Sequence, residues 1–301
     1  MKAAHTRAEQ EERVDQAEQW LTSRQTSLRL RTYAGAGPTG PAVVALHGLG
    51  TGVDVLREAV PGLDPYERLA AQGFNVAALD WPGHGRSGGR RGGLDYRSAM
   101  AAAATAADWA AEAWGGPVGL VGTALGGVLA FYAALEDDTV AAVVCHNVLD
   151  LRDVRPVIQR SRQGVLLPLA GRLRSSQRLM ERVRIPTLAV VAATDLTADP
   201  QLSRRLRRHP QWVGSYDLAS LVSLFVTPGD KPGLTAQTTP TLIAVGSEDR
   251  VLPETPARAF ASHLTCEVQT WILPGGSHQL WLEHPDAFVA TAASFLHTHL
   301  G

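Results

Sequence analysis

The sequence predicts an α/β protein with a doubly wound, mostly parallel sheet and an inserted helical cap. Two observations favour this fold class. Short apolar runs alternate with segments of helical length along most of the chain, as is typical of strands joined by right-handed crossover helices. Most apolar runs after residue 40 are continuous rather than alternating, as in AVVALH, VAAVVC and TLIAVG. Such runs are typical of parallel strands covered on both faces.

The first predicted element is a helix over residues 10–23, where Val14, Ala17, Trp20 and Leu21 recur at helical spacing. Seven apolar runs are then predicted to be strands. They span 28–34, 42–47, 74–79, 117–122, 140–146, 240–246 and 267–273. The helices predicted between and after them span 97–115, 125–137, 255–264 and 285–300.

The strand–helix alternation breaks between about residues 150 and 235, where arginine-rich helical segments replace it. We therefore expect a helical extension at 1–25, a core formed by 26–149 and 236–301, and a helical cap at 150–235. Residues 151–210 hold 13 arginines against four acidic residues, a local balance of +9 in a chain of net charge −1. Such a segment could attract an anionic substrate or surface, or it could present a solvated arginine face.

Composition excludes several classes of protein. The chain has 301 residues, 45% of them hydrophobic, and no run of 18 apolar residues, so we expect no transmembrane segment. The polar N-terminus lacks the apolar stretch of a secretory signal, which predicts a cytoplasmic protein. Cys145 and Cys266 lie in apolar runs and indicate two buried thiols rather than a disulfide. No metal-binding spacing occurs, so we expect no metal and no cofactor.

Short polar and glycine-rich motifs directly follow the predicted strands. HGLG (47–50) follows AVVAL, DWPGHGRS (80–87) follows FNVAAL, and GTALGG (122–127) follows PVGLV at a strand-to-helix turn. Two late motifs complete the series, GSED (246–249) after TLIAV and GGSH (275–278) after TWILP.

With these motifs in this order, residues 28–300 resemble the α/β-hydrolase superfamily, and most closely its monoacylglycerol lipase and lysophospholipase-like branch with a helical cap. The resemblance implies a cofactor-free serine hydrolase that acts on a carboxylic ester through a Ser-His-Asp triad. Its partner would be a small-molecule acyl ester, with no nucleic acid and no metal. Lipid-like esters lead among the substrates, and lactones, thioesters or amides follow, because a fold alone does not select the chemistry.

The GTALGG motif matches the nucleophile elbow, G-x-S-x-G, a tight turn that lifts one side chain clear of the backbone. Gly122 and Gly126 supply the small flanking residues, but the raised position is Ala124. A methyl group cannot attack a carbonyl carbon, and Thr123 is no substitute because the elbow directs adjacent side chains elsewhere. We therefore expect the chain to bind its substrate without turning it over. Ala124 would be either an engineered replacement of serine or a natural loss of catalysis.

The resemblance assigns the other catalytic roles residue by residue. His278 matches the general base, and Asp249 matches the acid that orients it, with the adjacent Glu248 as the alternative. The backbone amides of Leu49 and Leu125 match the oxyanion hole. As side chains, these two leucines could simply wall the pocket.

Three residues are candidate substrate contacts. Gly48 lies in the oxyanion motif, and His146 follows a strand whose end approaches the pocket. His146 could instead be a hydrogen-bonded structural histidine. Trp212, in the late cap, is interpreted first as cap core and second as pocket lining.

Other conspicuous residues receive structural interpretations. Tyr216 and Phe225 are read, like Trp212, as cap core before pocket lining. Asp80 and His84 belong to a motif that is mostly structural in the family that this sequence resembles.

Two other functions stay open. A receptor or carrier derived from a hydrolase would keep the pocket without turnover. Catalytic residues that are no longer used can be replaced during evolution, so the presence of both Asp249 and His278 counts against this function. A non-hydrolytic enzyme would use the pocket and His278 alone, for example as the base of a lyase or of a cofactor-free oxidation.

Overall fold

Eight strands form one central sheet in the computed structural model, which describes residues 15–155 and 176–301. In chain order the strands of the protein are β1 (Asp15–Ser23), β2 (Thr26–Ala34), β3 (Ala42–Leu46), β4 (Asn75–Leu79), β5 (Val118–Thr123), β6 (Val140–His146), β7 (Arg184–Pro186), β8 (Ser215–Asp217), β9 (Thr241–Gly246) and β10 (Val268–Leu273). The central sheet has the order β1-β2-β4-β3-β5-β6-β9-β10, and β7 pairs with β8 in a separate small sheet. Only β1–β2 and β2–β4 pair antiparallel within the central sheet. The predicted doubly wound, mostly parallel sheet is confirmed.

Helices cover both faces of this sheet, and others lie in the segment between β6 and β9. They are α1 (Val53–Arg57), α2 (Pro65–Ala70), α3 (Tyr96–Trp114), α4 (Leu125–Glu136), α5 (Gln177–Met180), α6 (Thr187–Val190), α7 (Pro200–Arg208), α8 (Leu218–Phe225), α9 (Glu254–Ser262), α10 (Leu280–Glu283) and α11 (Pro285–Leu300). Val44 and Leu46 of β3 belong to the core shared with α3 and α4, whereas Val43 and Ala45 belong to the core shared with α2 and α11. This two-sided burial explains the continuous apolar runs. No helix among the described residues is long and apolar enough to cross a membrane.

The helix predicted over residues 10–23, and with it the helical extension at 1–25, is wrong where the structure describes it. Residues 15–23 form β1, an edge strand paired with β2 from Ser23–Thr26 to Asp15–Ala34. Arg24 and Gln25 join the two strands at φ of 45° and 67°, the positive values of a two-residue hairpin turn. Such turns favour Gly, Asn or Asp, so Arg24 and Gln25 carry no turn signal. Without that signal, the helical spacing of the apolar residues predicts a helix here instead of a hairpin.

Residues 147–240 form an insertion between β6 and β9, which are neighbours in the sheet. The cap predicted at 150–235 lies within it, although residues 156–175 are outside the described ranges. The insertion holds α5 to α8 and the β7–β8 pair. On α7, Leu202 and Leu206 are buried, whereas the arginines at 204, 205 and 208 are exposed.

A buried arginine connects the first strands to one another. Arg29 on β2 is 0% exposed and donates hydrogen bonds to Asp80 (3.1 Å), Glu18 (2.8 Å) and Asp54 (3.3 Å). Asp80 also accepts from the backbone N–H of Val53 at 2.8 Å. Buried charges are tolerated when they are paired and hydrogen-bonded. These contacts join β1, β2, α1 and the end of β4, and they agree with a structural interpretation of Asp80.

The β1–β2 turn yields a stability prediction. We expect Gln25→Gly to raise the free energy of unfolding by about 0.5–1 kcal/mol, because relief of the left-handed backbone outweighs the entropy cost of glycine. The matched control is Gln19→Gly within β1, which should lower the same quantity by about 0.5–1 kcal/mol. Urea unfolding of both variants measures the two changes. If both substitutions changed the free energy of unfolding in the same direction, the result would contradict the assigned turn.

Candidate active site

Ala124 lies at a sharp reversal between β5 and α4, with φ of 52° and ψ of −121°. The chain is too crowded there for side chains on either side. A Cβ added to Gly122 would lie 2.1 Å from the Gly126 carbonyl oxygen, and a Cβ added to Gly126 would lie 2.1 Å from the Leu46 oxygen. The Ala124 N–H donates to the His146 carbonyl at 2.9 Å. This is the strand–turn–helix geometry predicted for the elbow.

Asp249 and His278 form a buried hydrogen-bonded pair. His278 Nδ1 lies 2.8 Å from Asp249 Oδ2, and the Val251 and Leu252 amides donate to Asp249 Oδ1 at 2.8 and 2.9 Å. Burial alone would raise the pKa of the Asp249 carboxyl, but His278 and these amides hold that pKa below its ordinary value. The carboxylate that contacts His278 is that of Asp249 and not that of Glu248.

Asn147, which the sequence analysis missed, supports the same carboxylate. Its Nδ2 donates to Asp249 Oδ2 at 2.8 Å, and its backbone N–H donates to the Ala244 carbonyl at 2.9 Å. Asn147 has a φ of 76°, a conformation that Asn tolerates better than most residues. One signal was available, because Asn147 directly follows β6, and β6 lies between the elbow strand β5 and the strand β9 that leads to Asp249.

The turn at residues 47–51 (the 47–51 turn) lies against the elbow. A Cβ added to Gly48 would lie 2.9 Å from the Ala124 Cβ and 3.7 Å from the Leu125 nitrogen. Leu125 is the first residue of α4, so its N–H is among those that a helix leaves without an intrahelical acceptor. The sequence-predicted residues Gly48, Ala124 and Leu125 therefore lie together.

The peptide that carries the Leu49 N–H is held on one side by contacts to the Gly48 carbonyl. His47 Nδ1 and Thr51 Oγ1 lie 3.0 and 2.9 Å from that oxygen. The Trp81 amide donates to His47 Nε2 at 3.2 Å, which places the imidazole proton on Nδ1. Burial lowers the pKa of His47 to about 4, so the ring stays neutral. Because a trans peptide directs its C=O and N–H oppositely, the Leu49 N–H points away from His47.

The two other candidate substrate contacts lie in different places. The Trp212 ring covers Gly50 in the 47–51 turn, where an added Cβ would come within 2.7 Å of the ring. His146 is buried at the end of β6, and its Nδ1 lies 3.0 Å from Thr123 Oγ1. Its Nε2 has no hydrogen-bond partner among the described residues. The Thr123 hydroxyl is thus hydrogen-bonded to His146.

Across the ranges that the structure describes, no three His, Cys, Asp or Glu side chains gather into a group that could hold a metal ion. Both cysteines are unpaired; Cys145 is buried, whereas Cys266 is partly exposed rather than buried as predicted. Burial raises the pKa of the Cys145 thiol, which keeps it neutral.

Comparison with protein families gives one match that covers most of the chain. The family described as serine aminopeptidase, S33, matches residues 37–285. That range includes the elbow, the insertion, Asp249 and His278.

Individual relatives are more distant. The chain is 28% identical over 267 residues to pimeloyl-(acyl-carrier protein) methyl ester esterase of Edwardsiella ictaluri, a match that covers 84% of this chain and 92% of that protein. A monoacylglycerol lipase from Paleococcus ferrophilus superposes with a TM-score of 0.70 at 22% identity, covering 90% and 99% of the two chains. A monoglyceride lipase from Saccharomyces cerevisiae, solved with a substrate analog, superposes with a TM-score of 0.74 at 14% identity, covering 94% and 95%. The predicted α/β-hydrolase fold is confirmed.

Three buried histidines around the site predict a pH-dependent stability. Burial lowers the pKa of His47 to about 4 and that of His84 and His146 to about 3. The unfolded chain takes up these protons below about pH 6.5 and the folded chain does not. The free energy of unfolding should therefore be greatest above pH 6.5 and fall as the pH drops, by about 1.4 kcal/mol per pH unit for each histidine.

Urea unfolding between pH 7.5 and pH 4.5 measures this slope. His146→Gln should reduce this slope by about 1.4 kcal/mol per pH unit, the contribution of one bound proton. The control, His263→Gln, removes an exposed histidine and gives the slope for a substitution outside the buried set. A slope that is the same in all three proteins would contradict the neutral burial of His146.

Proposed function

Because the chain belongs to the serine aminopeptidase S33 family, we propose that it is a cofactor-free carboxylic ester hydrolase in which alanine occupies the nucleophile position. The observation that carries this proposal is the backbone of Ala124. It holds the φ of 52° of a nucleophile elbow, and the Asp249–His278 hydrogen bond of 2.8 Å is present in the same chain. As written, the protein would bind its ester without forming an acyl-enzyme.

With serine at position 124, the reaction would follow the two steps of acyl transfer. The serine oxygen attacks the ester carbonyl carbon while His278 Nε2 accepts the hydroxyl proton, and Asp249 stabilises the charged imidazole. The Leu49 and Leu125 amides donate hydrogen bonds to the resulting oxyanion. The C–O bond to the alcohol then breaks, and His278 returns the proton to the leaving oxygen. Water, deprotonated by His278, releases the acyl group as a carboxylic acid.

Esters are favoured as the substrate class by the relatives. The names of the curated relative and of the two solved structures concern a methyl ester, a monoacylglycerol and a monoglyceride, which are all carboxylic esters of an acyl chain. A lipid-like ester is therefore our first choice for this chain, ahead of a lactone or a related acyl substrate. We assign the insertion the role of a lid, because Trp212 packs on the 47–51 turn.

A receptor or carrier is the second candidate function, and Ala124 itself favours it. A natural alanine at the elbow would leave a pocket that binds an acyl ligand and has no nucleophile. The two candidates differ in what a serine at this position restores.

The first functional prediction is that Ala124→Ser alone confers esterase activity and labelling by a fluorophosphonate probe. Asp249, His278 and the amides of Leu49 and Leu125 already fill the other proposed roles, so only the nucleophile is missing. Hydrolysis of nitrophenyl esters of graded acyl length should rise by about 10⁴-fold or more over the alanine form. In the control, Ala124→Ser combined with His278→Gln should lose most of this gain. A serine form that neither hydrolyses nor labels would contradict the hydrolase proposal.

The second functional prediction concerns the alanine form, which should hold an intact ester. Most ground-state affinity for a small ligand comes from apolar enclosure, which does not depend on a hydroxyl at position 124. In a crystal structure of the complex, the carbonyl carbon should lie about 3–3.5 Å from the place of a serine oxygen. The carbonyl oxygen should face the Leu49 and Leu125 amides. A ligand bound with no carbonyl near Ala124 would instead support the receptor.

A further inference from the structure

Tyr216, on β8 of the insertion, makes a fully buried hydrogen-bonded contact with the core. Its hydroxyl accepts the Gly50 N–H at 2.7 Å and lies 2.6 Å from His84 Nε2. His84 Nδ1 lies 3.0 Å from the Pro82 carbonyl, which can only accept, so Nδ1 carries the imidazole proton. Nε2 is then an acceptor, and the Tyr216 O–H donates to it. The bonds form one directed chain from Gly50 through Tyr216 to His84.

The imidazole of His84 stays neutral in this chain. Burial, together with the neighbouring His47, lowers the pKa of His84 to about 3. The Tyr216 hydroxyl therefore keeps its acceptor at neutral pH, and the hydroxyl oxygen stays available to the Gly50 N–H.

A second pair of contacts holds Gly50 from the same stretch of the insertion. The Val213 N–H donates to the Gly50 carbonyl at 2.8 Å. The Trp212 ring occupies the space of a Cβ on Gly50, and Gly50 has a φ of 79°, a conformation that suits glycine. Both backbone polar groups of Gly50 are thus bound by the insertion.

Leu49 lies between two peptides that are fixed from opposite sides. The Gly48 carbonyl before it is held by His47 and Thr51 of the core, and the Gly50 amide after it is held by Tyr216. A rotation of the Leu49 backbone would break one of these hydrogen bonds. We propose that Tyr216 is a positioning residue, which aims the Leu49 N–H at the oxyanion through Gly50. This role rests on the ester hydrolysis proposed above.

The kinetic test uses the Ala124→Ser protein. There, Tyr216→Phe should lower kcat by about 10–100-fold with KM changed by less than about twofold, because a misaimed oxyanion donor fails mainly in the transition state. The matched control is Tyr132→Phe. The Tyr132 hydroxyl is also buried and accepts a backbone N–H, that of Leu151, at 3.0 Å. Equal effects of the two substitutions on kcat and KM would overturn the positioning role.

A second measurement needs no activity and uses the chain as it is. Hydrogen exchange of the Gly50 amide, followed by NMR, should speed up by about tenfold or more in Tyr216→Phe, since its acceptor is lost. Tyr132→Phe should leave that exchange rate unchanged. An unchanged rate in Tyr216→Phe would overturn the positioning role, whereas a serine form without activity would contradict only the hydrolase proposal.

A pair of variants at His84 tests the chain without altering Tyr216, in case Tyr216→Phe does not fold. His84→Gln keeps an acceptor for the Tyr216 hydroxyl, and His84→Leu removes it. In the Ala124→Ser protein, we expect His84→Gln to keep kcat within about threefold and His84→Leu to lower kcat by about tenfold or more. Equal kcat values for the two variants would overturn the proposed chain.

Discussion

The backbone reversal at Ala124 is the constraint around which the candidate site is built. A non-glycine residue at positive φ costs about 1–2 kcal/mol, and the surrounding chain maintains the conformation. The ends of three parallel strands meet there. β3 supplies the Leu46 carbonyl that excludes a side chain at Gly126, β5 leads into the turn, and β6 supplies the His146 carbonyl that accepts the Ala124 N–H. The reversal is therefore a property of the sheet and does not require a hydroxyl at position 124.

The acid–histidine pair is similarly independent of the nucleophile. Asp249 is held by the amides of Val251 and Leu252 and by the side chain of Asn147, and none of these contacts involves the elbow side chain. The pair can thus keep its geometry whether residue 124 is alanine or serine. For this reason the decision between a hydrolase and a receptor depends on chemistry at position 124 rather than on the arrangement of Asp249 and His278.

The sequence predicted what short segments determine. The motifs ending in Gly50, Gly127 and Asp249 follow buried strands, and the motif ending in His278 follows the partly exposed edge strand β10. Parallel strands bring their carboxyl ends to one edge of a sheet, so the meeting of these motifs was foreseeable. β1 was not, because its polar sequence and its turn at 24–25 carry no strand or hairpin signal. The Tyr216 contacts were also missed. Tyr216 bonds to groups 166 and 132 residues away, and no local pattern encodes a pairing at such a separation.

The Arg29 network has a consequence for where a shortened chain could begin. Glu18 on β1 is one of the three carboxylates around this fully buried guanidinium. A truncated protein that started at the core boundary expected at residue 26 would lose that carboxylate and leave the buried charge less compensated. It would also turn β2 into a bare sheet edge, open to pairing with other chains and hence to aggregation. An expression boundary should therefore be placed at or before residue 15.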